Sequence, residues 1–118
     1  MIEKEWLVMK ELTTVSEWND VLEQSKEGPL LVLKHSTTCP ISAAAYSQFE
    51  TVTTDAPKYF LKVSESRPVS NEIESNLGVA HASPQLFLLK DGEAVWQATH
   101  HSIQGTAIER AVEDLVNK

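Results

Sequence analysis

The hydrophobic positions of this chain form two kinds of pattern, which predict helices and strands in turn. Apolar residues that recur every three or four positions indicate an amphipathic helix, and short continuous or alternating apolar runs indicate strands. By these rules we expect helices at residues 15–25, 40–50, 68–77 and 103–117, and strands at 30–33, 59–63, 86–89 and 94–96. The apolar run at residues 6–9 fits either an edge strand or a packed N-terminal arm.

Local signals mark several of these boundaries. Thr14 and Glu17 form a capping box, in which each side chain binds a free N–H group at the start of the first helix. Gly78 is expected to end the third helix, and Ser102 to be the N-cap of the last one. Asp91-Gly92 predicts a two-residue hairpin turn, because both central positions of such a turn need a positive φ.

The predicted elements follow one another in the order β(or arm)-α-β-α-β-α-β-β-α, a βαβ half and then a ββα half. A strand, a helix and a strand form a parallel unit, whereas a hairpin is antiparallel. The fold class is therefore α/β, with a central mixed sheet flanked by helices. No repeat or linker interrupts the chain, and 118 residues suffice for a buried core, so we expect residues 1–118 to form one domain.

Composition and charge restrict the classes of partner. A hydrophobic share of 42% and a charged share of 23% are ordinary for a globular protein. No apolar run approaches the ~18 residues of a membrane span, and the polar N-terminus does not resemble a secretory signal, so we expect a cytoplasmic protein. The net charge of −7, without a cluster of Lys or Arg, argues against binding to nucleic acid or to a membrane.

The only cysteine, Cys39, follows the first buried strand and a short polar loop. Pro40 suits the first position of a helix, where its missing N–H group would have no partner, so the thiol is expected at a helix N-terminus. The free N–H groups and partial positive charge there favour a thiolate. The alternative is a buried, inert cysteine, but the polar loop favours the reactive interpretation. A single cysteine needs a partner thiol from another molecule.

Pro84 is the second candidate position, because a proline directly before a buried strand is unusual. An X-Pro bond adopts the cis form at a cost of only ~0.5–1 kcal/mol. A cis bond between Ser83 and Pro84 would turn the Ser83 backbone towards the thiol. Ser42, one turn into the second helix, is either a hydrogen-bond donor to the thiolate or an ordinary first-turn serine.

These residues, in this order, resemble the thioredoxin superfamily, with Ser42 in place of the second cysteine of its Cys-x-x-Cys motif. The form Thr38-Cys39-Pro40-Ile41-Ser42 is similar to the monothiol bacilliredoxin family, thioredoxin-like proteins of bacteria that use bacillithiol instead of glutathione. The similarity covers nearly the whole chain and includes residues 67–71, 78–85, 90–92 and 95–100.

The resemblance implies a thiol–disulfide oxidoreductase that removes bacillithiol from mixed disulfides on client proteins. Bacillithiol would be the co-substrate, and no cofactor would be tightly bound. Cys39 would be the nucleophile, supported by Thr38, Pro40, Ser42, Ser83 and Pro84. The alternative is a non-catalytic redox sensor, or a carrier of a thiol or an iron–sulfur cluster, that is modified at Cys39.

Five other positions carry an arginine or histidine side chain that is a candidate for ligand binding or for a structural role. Arg67 is a candidate for the carboxylates of the small thiol, because a guanidinium group binds carboxylate bidentately, although an ordinary surface arginine is equally consistent. His81, three residues before Pro84, could approach the thiol or an acidic ligand. His35 is interpreted as structural and His100-His101 as a strand-end pair, and no metal site is expected, since no second cysteine or carboxylate stands at ligand spacing.

Overall fold

The computed structural model describes residues 9–116, and its elements follow the predicted order. They are β1 (Lys10–Glu11), α1 (Val15–Gln24), β2 (Leu30–His35), α2 (Pro40–Thr51), β3 (Lys58–Lys62), α3 (Arg67–Leu77), β4 (Gln85–Lys90), β5 (Glu93–Thr99) and α4 (Gly105–Val116). The strands form one sheet in the spatial order β1-β3-β2-β4-β5. β1, β3 and β2 run parallel, and β4 and β5 are antiparallel to their neighbours, which confirms the α/β class with a mixed sheet.

β2 lies in the centre of the sheet, and its four leucine and valine residues are fully buried. Successive side chains of a strand point to opposite faces. Leu31 and Leu33 therefore pack in the core beneath α2 and α4, whereas Leu30 and Val32 pack in the core beneath α1 and α3. The continuous apolar run predicted from the sequence thus contributes to two cores, one on each side of the sheet.

Three of the four predicted capping and turn signals are confirmed. The Thr14 hydroxyl accepts a hydrogen bond from the Glu17 N–H, and the Glu17 carboxylate accepts one from the Thr14 N–H. Gly78 ends α3 in the left-handed conformation, with φ of 67°. Asp91 and Gly92 have φ of 55° and 76°, as the hairpin turn between β4 and β5 requires. Local sequence therefore fixes these boundaries.

The predicted start of the last helix is wrong. Ser102 is not an N-cap but belongs to a 3₁₀ turn at His100–Ser102, and α4 begins only at Gly105. His100 has a φ of 51°, and its N–H donates to the carbonyl of Pro84 at 3.1 Å. The chain is thus bonded to a distant loop at this turn, and Ile103 packs in the core from outside the helix. The predicted end at residue 117 lies outside the described residues.

The first strand lies just after the apolar run predicted at residues 6–9. Residues 6–8 of that run lie outside the described residues, and Met9 packs against the core beneath α2 and α4. The strand itself is Lys10–Glu11, which pairs with β3. No helix within residues 9–116 has the length and hydropathy that a membrane span needs.

Lys58, at the start of β3, is a buried lysine. Its Nζ donates to the carbonyls of Val52, at 2.6 Å, and Glu50, at 3.2 Å. These carbonyls stand at the C-terminal end of α2, where backbone groups have no partner within the helix. Burial lowers the pKa of Lys58, and the charge of Glu50 partly opposes that shift. Lys58 thus caps the C-terminal end of α2, the helix whose N-cap is Cys39.

Candidate functional site

Cys39 is the N-cap residue of α2, and Pro40 follows in the first turn, as the sequence predicts. The Cys39 carbonyl accepts a hydrogen bond from the Ala43 N–H at 3.0 Å, so its backbone already belongs to the helix. Its own N–H donates to the Ser36 carbonyl at 3.4 Å, and its side chain is half-buried. Thr38, in the turn before it, is exposed. The thiol therefore lies at the end of a helix whose first N–H groups have no intrahelical partner.

Pro84 lies at the same end of the sheet as Cys39. Gln85 pairs with Lys34 on β2, so Pro84 lies beside the end of that strand. β2 ends at His35, four residues before Cys39. The Ser83–Pro84 peptide bond is cis, as predicted. The Ser83 hydroxyl oxygen is buried and has no hydrogen-bond partner in the described part of the chain. The structure thus places Cys39 and Pro84, the two candidate positions from the sequence, at the same end of the sheet.

Ser42 is fully buried, and its hydroxyl makes hydrogen bonds to residues other than Cys39. It accepts the Ser36 N–H at 2.8 Å and forms a second hydrogen bond, also 2.8 Å, with Nδ1 of His35. Neither of the two interpretations from the sequence, thiolate donor or ordinary first-turn serine, describes this arrangement. Ser42 instead fastens the loop before Cys39 to the first turn of α2 and to the end of β2.

His35 is a structural histidine, as the sequence analysis proposes. It is half-buried, and its ring lies 4.7 Å from the ring of Tyr46, which in turn contacts Phe60 edge-on at 5.5 Å. Burial lowers the pKa of His35, the charge of Lys62 lowers it further, and a hydrogen bond to Ser42 opposes these effects. The imidazole is therefore neutral at neutral pH.

A second polar group lies on the opposite face of β2. Lys34 is fully buried, and its Nζ stands 3.2 Å from Nδ1 of His81, which also lies 3.4 Å from the Ser70 hydroxyl. A protonated lysine can only donate, so beside such a group Nδ1 of His81 accepts and the imidazole is neutral. Burial lowers the pKa of His81, as do the charges of Lys34 and Arg67, whereas Glu74 raises it. The His81 N–H donates to the Glu74 carboxylate at 3.3 Å.

The structure therefore divides the predicted site residues into two groups. Cys39, Ser42 and Pro84 lie at the same end of β2, whereas Arg67 and His81 lie near each other on the α3 side. Arg67 is the exposed first residue of α3. The sequence pattern does not reveal the role of Lys34, because a lysine at the end of a strand is normally expected in solvent. Burial lowers the pKa of Lys34, and the charge of Glu74 opposes the shift.

This arrangement defines a thioredoxin-fold protein, and solved structures of that fold resemble the chain over most of its length. One, described provisionally as an oxidoreductase with a thioredoxin fold, is 38% identical, with a TM-score of 0.81 over 88% of this chain and 93% of that chain. A mutant thioredoxin from Halobacterium salinarum NRC-1 is 19% identical, with a TM-score of 0.74 over 92% and 90% of the two chains. A thioredoxin from Schistosoma mansoni is 18% identical, with a TM-score of 0.75 over 93% and 97%.

The family model described as monothiol bacilliredoxin BrxC matches residues 10–108. The chain therefore belongs to the monothiol bacilliredoxin family, which confirms the resemblance drawn from its motifs. The match and the oxidoreductase relative together support a function in thiol redox chemistry. The two thioredoxins, at below 25% identity, show the fold alone.

Proposed function

We propose that this protein removes bacillithiol from mixed disulfides on client proteins by thiol exchange at Cys39. One observation carries the proposal. The chain belongs to the monothiol bacilliredoxin family, and its only cysteine is the N-cap of a helix, at the same end of the sheet as Pro84. A buried serine, Ser42, stands where a dithiol relative has its second cysteine. The chain thus has one thiol, at a position that suits nucleophilic attack.

The exchange proceeds in two steps without an external oxidant. The Cys39 thiolate attacks the bacillithiol sulfur of the mixed disulfide, a bond forms between these sulfurs, and the client sulfur leaves as a thiolate. A second small thiol then attacks the bacillithiol sulfur on Cys39 and forms a small-molecule disulfide. Cys39 leaves as a thiolate, ready for another client. Bacillithiol is the co-substrate in this scheme, and a tightly bound cofactor is not needed.

The supporting residues act mainly through the backbone. Pro40 fixes the start of α2, and the free N–H groups of that turn favour the anionic form of Cys39. Thr38 shapes the loop before the thiol. Ser83 and Pro84 would offer backbone groups to an extended client segment, in the manner of a strand added to a sheet. Ser42 would act indirectly, because its hydroxyl holds the loop that ends at Cys39.

The proposal also includes a cellular location and two residues that would bind the small thiol. A reaction that depends on a reduced thiol pool suits the cytoplasm, so we propose that location. Arg67 and His81 are candidates for the carboxylates of bacillithiol, because each can donate hydrogen bonds and Arg67 is close enough to affect the charge state of His81.

Mass spectrometry of a bacillithiolated client tests the proposal. We expect the wild-type chain to remove the cap from the client and to gain its mass on Cys39, whereas Cys39→Ala leaves the client modified. Equal modification of the client after both treatments would falsify the exchange function. If Cys39 accepts bacillithiol from its disulfide but leaves the client capped, the chain is a sensor. Visible absorption of the purified protein would instead indicate an iron–sulfur carrier.

A further inference from the structure

We propose that a cleft between α2 and the turn after β5 binds the body of bacillithiol, beyond its sulfur, when that sulfur is bonded to Cys39. This inference rests on the proposed function and names a binding site for the small thiol that is an alternative to Arg67 and His81. The cleft has a volume of about 220 Å³. The residues that line it are Ile41, Ala44, Ala45, Gln48, His100, His101, Ile103 and Gln104.

One wall of the cleft belongs to the helix that Cys39 begins. Its four residues on α2, at positions 41, 44, 45 and 48, have the spacing of one helical face. Ile41 is the second residue of α2 and follows Cys39 by two positions, so the cleft begins within one helical turn of the cysteine. The cleft is therefore the neighbour, along α2, of the residue that would carry the small thiol.

The segment that forms the other wall is hydrogen-bonded both to the loop of Pro84 and to α2. The His100 N–H donates to the Pro84 carbonyl at 3.1 Å, which joins the histidine turn to the proline loop. The Gly105 N–H donates to Oε1 of Gln48 at 2.8 Å, which joins the start of α4 to α2. His100 holds a φ of 51°, a conformation that a non-glycine residue rarely adopts. The cleft is thus formed before a ligand arrives, which reduces the entropy cost of binding.

The lining of the cleft suits a ligand that carries hydroxyl and carboxylate groups. His100 and His101 present exposed imidazoles. Oε1 of Gln48 is already an acceptor, so its NH₂ group remains to donate, and Nε2 of Gln104 donates to the His101 carbonyl, so its Oε1 remains to accept. None of the eight lining residues in the described chain is acidic, although the net charge of the protein is −7. An anionic ligand therefore meets donors here and little repulsion.

The size of the cleft fits a tethered fragment better than a free ligand. Pockets that hold a drug-sized ligand unaided have volumes of roughly 300–1,000 Å³. This cleft is smaller and open, but a ligand bonded to Cys39 is held at a high effective concentration beside it. Arg67 and His81 lie on the α3 side of the sheet, whereas the cleft lies between α2 and the segment that leads into α4. Variants on the two sides can therefore be tested separately.

The test compares how fast Cys39 takes up two small disulfides, bacillithiol disulfide and bis(2-hydroxyethyl) disulfide, by intact-mass spectrometry. The first carries the body that the cleft would bind, and the second lacks it. Ala44→Leu fills the cleft, and Ala43→Leu adds the same side chain to an exposed position of α2 outside it. We expect Ala44→Leu to lower the ratio of the two rates about tenfold and Ala43→Leu to leave it unchanged, as for the loss of one well-placed contact.

A second variant, outside α2, controls for any distortion of that helix by Ala44→Leu. His101→Glu places a carboxylate in the cleft and should slow the uptake of bacillithiol disulfide, while the uptake of the neutral disulfide stays within about twofold. An unchanged ratio in both Ala44→Leu and His101→Glu, or an equal loss for both disulfides, would overturn the assignment. So would a lower ratio in Arg67→Gln alone. Because no client takes part, the result is independent of whether the chain removes bacillithiol from proteins.

Discussion

Lys34 and His35 are neighbours on β2, yet they hold opposite halves of the candidate site. Successive side chains of a strand point to opposite faces, so His35 reaches the α2 side and Lys34 the α3 side. His35 is bonded to Ser42, in the first turn after Cys39. Lys34 is bonded to His81, on the loop that leads to Pro84. The dipeptide Lys34-His35, at the end of a central strand, thus forms hydrogen bonds both with the first turn of α2 and with the loop before Pro84.

The two contacts differ in charge and in how well their polar atoms are paired. The Ser42 hydroxyl has two partners at 2.8 Å, and all the groups involved are neutral. The Lys34 ammonium is buried with an imidazole at 3.2 Å, and none of the salt bridges between described residues includes it. Fully paired neutral groups stabilise a fold, whereas a buried charge often does not. We therefore expect the α2 side to contribute stability, and the α3 side mainly to position its loop.

The largest effect is expected from Ser42→Ala. This change leaves the Ser36 N–H and Nδ1 of His35 without their partner, and each buried group that loses its hydrogen bond costs about 1–3 kcal/mol. Denaturant unfolding should show a lower free energy, and iodoacetamide should alkylate Cys39 at a changed rate because its loop is released. Ser47→Ala, at an exposed position of the same helix, is the control for helix propensity. Equal stability of the two variants would contradict the comparison.

A smaller effect is expected from Lys34→Met. Methionine replaces a buried charge by an apolar chain of similar length, and solvent can satisfy the exposed imidazole of His81, so the free energy of unfolding should be unchanged or higher by about 1 kcal/mol. The other buried lysine gives the contrast. Lys58→Met leaves two carbonyls of α2 without a donor and should lower that free energy. If Lys34→Met destabilised the fold as much as Lys58→Met, Lys34 would be a stabilising residue after all.

The smallest effect concerns pH. Both His35 and His81 have a pKa below the ordinary value of about 6.5, so the unfolded chain binds more protons than the native chain as the pH falls through 6.5. Their contribution to stability is complete above that value and decreases below it. Unfolding measured at pH ~7.5 and ~5.5 should show less loss in His35→Gln than in the wild type, and a weaker change in His81→Gln, whose imidazole is exposed.

The control for the pH experiment is His101→Gln. It removes an exposed imidazole that makes no side-chain hydrogen bond to another described residue. We expect this variant to lose stability on acidification as the wild type does. A flattening as large as that of His35→Gln would mean that the pH dependence does not arise at the end of β2.

The elements that the sequence predicts well are those fixed by neighbouring residues. The Thr14–Glu17 capping box and the Asp91-Gly92 turn each depend on contacts within a few positions, and both are confirmed. The buried strand at Leu30–Leu33 is predicted from its continuous apolar run, and it is confirmed too. The position of Cys39 at a helix start follows from Pro40 in the same way. The resemblance to a family then places Pro84 and the sheet around these local features.

The features that the sequence does not reveal depend on contacts between distant segments. The late start of α4 follows a turn that is hydrogen-bonded to Pro84 through His100, and no local pattern indicates this contact. The burial of Lys34 depends on a histidine 47 positions away. Ser42 has ordinary neighbours in the sequence, and only the fold shows that its hydroxyl belongs to the end of β2. The contacts around the candidate site therefore depend on tertiary structure, whereas the position of its thiol can be predicted from local sequence.

The buried hydroxyl of Ser42 determines the reaction order of the second half of the proposed cycle. A cysteine at that position would attack the Cys39 adduct within the same molecule, with a rate independent of concentration. With the serine bound to His35 and Ser36, release must await a collision with a free thiol. The lifetime of the adduct is then inversely proportional to the concentration of that thiol. A falling thiol pool would prolong the capped state, so the same residue that removes the internal route makes the protein's recovery time depend on the cell's reducing capacity.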